Sequence, residues 1–165
     1  MRRGIASSSP ACSEPDIGTE DYWHAWFDGA ALPNPGKIAV GVVLVSPAGE
    51  RSEKSALAGC SGCNNEAELH ALGAALEMAA AAGARRLVLR GDGDVALRYV
   101  RGPESTQIAR LLPLIAAARE SLRRFEDVQL VWIPRHRNGE ADRLSRQALG
   151  LPPSPVRIAG GRRRR

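Results

Sequence analysis

Asp28, Glu68, Asp92 and Asp142 each stand in a short segment that gives a reason for an acid to be there. Asp28 ends the run Trp23-His24-Ala25-Trp26-Phe27 and precedes Gly29. Asp92 follows Leu87-Val88-Leu89-Arg90-Gly91. Asp142 lies in Asn138-Gly139-Glu140-Ala141-Asp142, just after the apolar run from Val128 to Ile133. Glu68 lies in Asn64-Asn65-Glu66-Ala67-Glu68-Leu69, at the head of an Ala/Leu-rich segment. A carboxylate at the end of an apolar strand is costly unless it is paired or binds a cation. Four convergent acids suit hard divalent cations such as Mg²⁺, which take oxygen ligands. Two such ions side by side are the equipment for hydrolysing a phosphodiester.

The elements that must position these acids read as strands first and helices later. Trp23 to Asp28 is a strand, followed by a loop around Pro33-Asn34-Pro35-Gly36. Ile38 to Val45 is a second strand, apolar and β-branched. Pro47-Ala48-Gly49 turns the chain so that residues 50–58 pair back on it. Asn65 reads as the N-cap of a helix to about Ala82, with Leu69, Leu72, Leu76 and Ala79 or Ala80 on its buried face. Gly83 ends that helix. Arg86 to Arg90 is a strand, placed inside the sheet by its continuous apolar centre. Asp94 to Arg101 is a short helix stopped by Gly102-Pro103. Residues 105–125 form another, burying Ile108, Leu111, Leu112, Ile115 and Leu122, with Pro113 a source of a kink. Val128 to Ile133 is the last strand, and Asn138 caps a final helix to about Leu149. The order βββαβααβα predicts an α/β fold. It is a mixed five-stranded sheet, three strands antiparallel and then parallel ones, with helices on both faces.

The length of 165 residues suits one folded domain. Residues 21–150 form that domain. Residues 1–20 and 151–165, rich in Ser, Pro, Gly and Arg, are expected to be disordered tails. The domain holds 16 Lys+Arg against 15 Asp+Glu, so most of the net charge of +5 lies in the tails. A nearly neutral body with basic ends, notably Arg162 to Arg165, fits a polyanionic partner or a pair of solvated tails. The three cysteines are Cys12, Cys60 and Cys63. A lone Cys60-Ser61-Gly62-Cys63 without a second pair reads as reduced thiols rather than a zinc site. No stretch approaches ~20 apolar residues, and residues 1–20 lack the apolar segment of a signal peptide. A soluble, cytoplasmic, monomeric protein is expected.

Phe27-Asp28-Gly29 with Asn34-Pro35-Gly36, then Asn64-Asn65-x-x-Glu68-Leu69, Gly91-Asp92 and Asn138-x-x-x-Asp142, in this order, resemble the type 1 ribonuclease H domain. The resemblance covers about residues 23–149. It implies a ribonuclease H-like fold and an Asp-Glu-Asp-Asp site using two Mg²⁺ or Mn²⁺ ions. Such a site cuts the RNA strand of an RNA/DNA hybrid, leaving 5′-phosphate and 3′-hydroxyl ends. The resemblance places Asp28 at the centre, touching both ions. Glu68 and Asp92 flank one ion and Asp142 the other. Gly29, Asn34 and Asn65 match positions that contact the RNA strand, whose 2′-hydroxyl distinguishes it from DNA. His136 stands in the loop where many members carry a histidine that aids proton transfer or product release, although this loop is short.

Blander readings stand beside these. Asp28 could open a turn. Glu68, three residues after Asn65, has the spacing of a reciprocal capping acid. Asp142 in a first helical turn could serve the macrodipole alone. His136 could be an exposed loop residue and Asn65 a cap. Two features depart from the family pattern. Residues 99–107 are too short and too poor in Lys for a basic protrusion between the middle helices. The Arg-rich tail, or Arg119, Arg123 and Arg124, is then left to grip the hybrid. Gly93-Asp94 follows Asp92, with Asp94 either an additional acid or a helix cap. Trp23, Trp26 and Trp132 fall on strands and are expected in the core, which counts against a stacking-based single-strand binder. Two alternatives remain: a relative that also cuts double-stranded RNA, and a catalytically silent hybrid- or RNA-binding domain.

Overall fold

The computed structural model describes residues 21–103 and 106–155. Five strands, β1 (Tyr22–Leu32), β2 (Gly36–Val45), β3 (Arg51–Gly62), β4 (Arg86–Gly91) and β5 (Asp127–Trp132), form one sheet in the order β3-β2-β1-β4-β5. Four helices, α1 (Asn64–Ala81), α2 (Asp94–Arg101), α3 (Leu112–Leu122) and α4 (Gly139–Ala148), complete the predicted βββαβααβα order. β1 is central. It runs antiparallel to β2, with Asp28 opposite Gly41, and parallel to β4, with Phe27 opposite Gly91. β4 and β5 are parallel, the arrangement that a crossover through α2 and α3 permits.

Alternation along β1 sorts the two faces. Ala25 and Phe27 are fully buried and belong to the core cluster with Leu69, Leu72 and Leu76 of α1 and Leu97 of α2. Asp28, pointing the other way, meets α4 through Ser145. Two close approaches fix these helices. A Cβ on Gly29 would lie 2.0 Å from the Ala67 carbonyl oxygen of α1. A Cβ on Gly41 would lie 2.2 Å from the Ala141 carbonyl oxygen and 2.6 Å from the Ser145 nitrogen of α4. Each glycine lets a helix backbone touch a strand backbone. α1 ends as predicted at Gly83, with φ of 87°. The bonds Ala84 N to Ala79 O and Gly83 N to Ala80 O close its last turn.

Several expectations change. α1 starts two residues early. Its N-cap is Cys63, and Glu66 returns a 2.6 Å bond to the Cys63 amide, so the reciprocal capping acid is Glu66 and not Glu68. α3 begins only at Leu112, so Pro113 stands in the first turn, where its missing N–H costs nothing, and kinks no helix. Ile108 and Leu112 are accordingly exposed rather than buried. Asn138 precedes α4 but does not cap it through its side chain. Trp132 is 52% exposed, since β5 is an edge strand and ends there. Trp23 packs on the core, whereas Trp26 lies half-buried under the Arg90 guanidinium, 5.0 Å from the ring centre. Residues 1–20 and 156–165, with Cys12 and the terminal arginines, fall outside the described residues. Among the described residues no helix is long and apolar enough to cross a membrane.

Candidate active site

The sheet brings three of the four acids together. Asp28 sits on β1 just before Gly29, Asp92 follows the end of β4, and Glu68 lies in the second turn of α1. Carboxylate oxygens of Asp28, Glu68 and Asp92 all lie within 4.8 Å of one another. The parallel pairing of β1 and β4 makes this happen, because Phe27 and Gly91 share a register position and the next residue of each is the acid. Glycines make the room. The Gly29–Ala67 approach sets α1 down beside Asp28. At Gly93 a Cβ would come 2.7 Å from Glu68 Oε2, so the glycine after Asp92 leaves space for the glutamate.

Asp142 stands slightly apart. It is buried in the first turn of α4, and its oxygens are held by Ser154 Oγ at 2.6 Å and by the Arg135 guanidinium at 3.5 Å. Ser154 arrives on the segment after α4, which Arg146 ties down through a 2.7 Å bond to the Pro152 carbonyl. Ser145, fully buried, donates 2.5 Å to Asp28 Oδ2 and lies 3.0 Å from the Asp142 carbonyl oxygen. Asn138 donates 2.8 Å to the Phe27 carbonyl and is itself 1% exposed, which locks the loop before α4 onto β1 next to Asp28.

The electrostatics are those of acids crowded without enough cations. Burial pushes the Asp28 carboxyl up to about 7, helped by the charges of Asp92 and Asp142 and opposed by the Ser145 hydrogen bond. Burial also raises Glu68 well above an ordinary glutamate, with Asp28 and Asp92 adding to it and the Gly29 amide opposing. Asp92 moves up as well, mainly through burial, while Asn138 and Arg135 pull it back. Glu68 Oε2 is buried with no hydrogen-bond partner. A buried carboxylate oxygen without a donor is rare and costly. An oxygen-seeking divalent cation among these three acids satisfies it and relieves their repulsion, so the residues present fit such an ion.

A cleft of about 530 Å³ opens over the acids. Asp28, Glu68, Asp92 and Asp142 line it, together with Gly29, Asn64, Trp132, Arg135 and Arg146. Gly29 is thus among the lining residues. Asn34 instead accepts a 3.1 Å bond from the Asn64 amide, and Asn64 accepts one of 3.1 Å from Ala31, so both carbonyl oxygens staple the β1–β2 turn to α1. Asn65 is exposed and outside the cleft lining. His136 is exposed in the 3-10 turn Arg135–Arg137, and the cleft lining does not include it. Asp94 is the first residue of α2, paired with Arg98 at 3.1 Å, so neither an additional site acid nor the cap. Of the three α3-region arginines, Arg119 holds the Tyr99 carbonyl, Arg123 pairs with Glu120 and Arg124 with Glu77. The residues that sequence reasoning missed are Trp132, Arg135, Ser145, Arg146 and Ser154. Only Arg135, beside the motif loop, carried any signal.

A mixed sheet in this order, with helices on both faces and acids converging at the centre of β1, is the ribonuclease H-like architecture. A family profile described as reverse transcriptase-like matches residues 26–148. The chain is 38% identical over 149 residues to ribonuclease HI of Halobacterium salinarum, covering 90% of this chain and 74% of that protein. The crystal structure of ribonuclease H1 from that archaeon superposes with a TM-score of 0.74, at 41% identity, over 78% of this chain and 98% of that one. A metagenomic compost enzyme, LC11 ribonuclease H1 in complex with an RNA/DNA hybrid, superposes with a TM-score of 0.70, at 29% identity, over 78% of this chain and 96% of that one. A bifunctional protein of Mycobacterium tuberculosis is 30% identical over 123 residues, which are 74% of this chain but 34% of that protein. The chain belongs to the type 1 ribonuclease H family and is a ribonuclease H enzyme.

Proposed function

We propose that this enzyme hydrolyses the RNA strand of RNA/DNA hybrids, as a cytoplasmic monomer, leaving 5′-phosphate and 3′-hydroxyl ends. The observation that carries the reading is the buried, unpartnered Oε2 of Glu68, on a carboxylate that offers an oxygen within 4.8 Å of oxygens from Asp28 and Asp92. Asp28, Glu68 and Asp92 would hold one Mg²⁺, and Asp28 with Asp142 would hold a second, with Mn²⁺ able to substitute. Bound there, the ions supply an activated water and neutralise charge at the phosphate during in-line displacement. The chain does the positioning. Asn138 and Ser145 hold the loop and the carboxylate at the centre of the site. Arg135 and Arg146, both in the cleft lining, offer guanidinium donors to the phosphate backbone, the grip that a basic protrusion supplies elsewhere. The Gly29 backbone in the cleft lining, with Asn34 and Asn65 outside that lining at the head of α1, is the set proposed to contact the RNA strand and its 2′-hydroxyls. His136, exposed on the turn before α4, is proposed to help proton transfer or product release. The hybrid in the complex of LC11 ribonuclease H1 supports the substrate class.

The test is cleavage of end-labelled duplexes of about 12–20 base pairs, a length on the scale of such a groove. Hybrid, double-stranded RNA and duplex DNA are compared with Mg²⁺, Mn²⁺ and EDTA, beside Asp92→Asn. Metal-dependent cutting of the hybrid's RNA strand, lost in the variant, is the expected result. Cutting of double-stranded RNA as well widens the substrate class. Tight hybrid binding without cleavage under either metal overturns the enzymatic reading.

A further inference from the structure

Ser145 is a polar residue in a place where packing asks only for a small one. α4 crosses β2 at Gly41, so closely that a Cβ there would meet the Ser145 nitrogen at 2.6 Å. Gly41 is also the residue paired with Asp28 across the β1–β2 ladder. Alanine at position 145 would fill this contact as well as serine does. The hydroxyl therefore needs another explanation, because a fully buried hydroxyl is unfavourable unless it is bonded.

It has two acceptors and one proton. Serine in a helix commonly bonds a carbonyl three or four residues back, and the Asp142 carbonyl lies 3.0 Å away. That bond alone would satisfy it. The oxygen nevertheless sits closer to Asp28 Oδ2, at 2.5 Å. The Asp28 carboxylate, ionised when it holds a cation, is the stronger acceptor, so the proton goes to it. Ser145 thus joins two of the four acids: the side chain of Asp28 and the backbone of Asp142. The second acceptor has a further use. If Oδ2 is needed elsewhere, the hydroxyl turns to the Asp142 carbonyl and is not left unbonded.

We propose that Ser145 is a positioning residue, whose buried hydroxyl fixes the rotamer of the Asp28 carboxylate and so sets the enzyme's affinity for its divalent cation. The inference rests on the reading of the acids as cation ligands. Asp28 is the one acid shared by both ions in that reading. A freely turning carboxylate at that point must be ordered each time a cation binds, and the ordering entropy is charged against affinity. With the rotamer set beforehand by α4, that loss is already met in folding.

Mn²⁺ binding to the metal-free, full-length chain, measured by calorimetry without substrate, tests this. Ser145→Ala is compared with wild type, and Ser145→Cys keeps the volume with a weaker donor. Urea unfolding of each variant checks the fold. Kinetics on hybrid follow, at low and at saturating Mn²⁺. Ser145→Ala is expected to weaken Mn²⁺ binding about tenfold, the scale of a lost hydrogen bond to a charged group. Ser145→Cys should fall between it and wild type. KM for hybrid should stay unchanged, and saturating Mn²⁺ should recover most of kcat. Wild-type affinity in a folded Ser145→Ala overturns the inference. So does a loss confined to stability, with both variants failing to fold, since the hydroxyl would then be structural. If wild type itself binds no Mn²⁺ and cuts no hybrid, the cation-site reading fails instead, and Asp92→Asn would leave the binding trace unchanged.

Discussion

Stripped of metal, the protein should lose stability as pH rises from 4 to 8. Buried beside other acids, the Asp28 carboxyl titrates at about 7, against 3.8 for an ordinary aspartate. The folded state therefore keeps a proton across an interval in which the unfolded chain gives it up. The stability so contributed is fully present below about pH 4 and is lost as pH climbs through 7. At ~1.36 kcal/mol per pH unit, the interval corresponds to about 4 kcal/mol. Asp28 is only 7% exposed, so solvent screening takes little from this figure. Glu68 is displaced in the same direction and steepens the slope. The perturbation is Asp28→Asn, which cannot ionise and still offers an oxygen to Ser145. Urea unfolding in EDTA, at whole pH units from 4 to 8, is the assay. Wild type and variant should agree near pH 4 and separate by about 4 kcal/mol in the variant's favour at pH 8. Mg²⁺ at pH 8 should restore wild type and not the variant. Parallel curves from pH 4 to 8 would refute the reasoning, because burial would then not be forcing a proton onto this carboxylate.

Gly41→Ala drives a Cβ to 2.2 Å from the Ala141 carbonyl oxygen, and backbone cannot step aside cheaply. It should lower stability by about 1–3 kcal/mol, read as a reduced urea midpoint. Trp132→Ala removes an exposed ring from the cleft wall. The melting temperature should hold, while KM for hybrid rises severalfold with kcat nearly unchanged. Ser154→Ala frees the Asp142 oxygen now bonded at 2.6 Å. Half-maximal cleavage should then need less Mg²⁺; an unchanged requirement would show that Ser154 does not compete for this acid.

The acids were legible because each one interrupts a pattern. An aspartate directly after Trp-Phe, or just past Leu-Val-Leu-Arg-Gly, has no packing reason to be there. The order of elements along the chain followed from apolar runs and turn residues, and α2 and the end of α1 fell where Gly, Pro and Asp put them. What stayed hidden depends on tertiary neighbours. Whether Trp132 is core or cleft wall turns on β5 being the edge strand, and alternation within six residues cannot say so. Pro113 opens α3 instead of kinking it because the chain before it stays non-helical, which local propensity does not encode. Cys63 outranked Asn65 as cap only because Glu66 was placed to answer it. Ser145 and Ser154 look like any surface serine in the sequence. Their meaning comes from the glycine gap at Gly41 and from the path of the chain after α4.

The bond between Ser145 and Asp28 joins positions 117 residues apart. A ribosome adding roughly 5–20 residues per second takes roughly 6–23 s to span that distance. Throughout that time the emerging chain can pair β1, β2 and β3 and later dock α1, all from contacts already made. The full set of acids cannot meet until β4 has joined β1 and α4 has come down over Gly41. Mutual repulsion among the carboxylates is thus deferred to the final assembly steps, after most of the sheet is in register to withstand it. Until then the nascent protein is a three-stranded meander with α1 against it, carrying Asp28 and Glu68 but neither Asp92 nor Asp142.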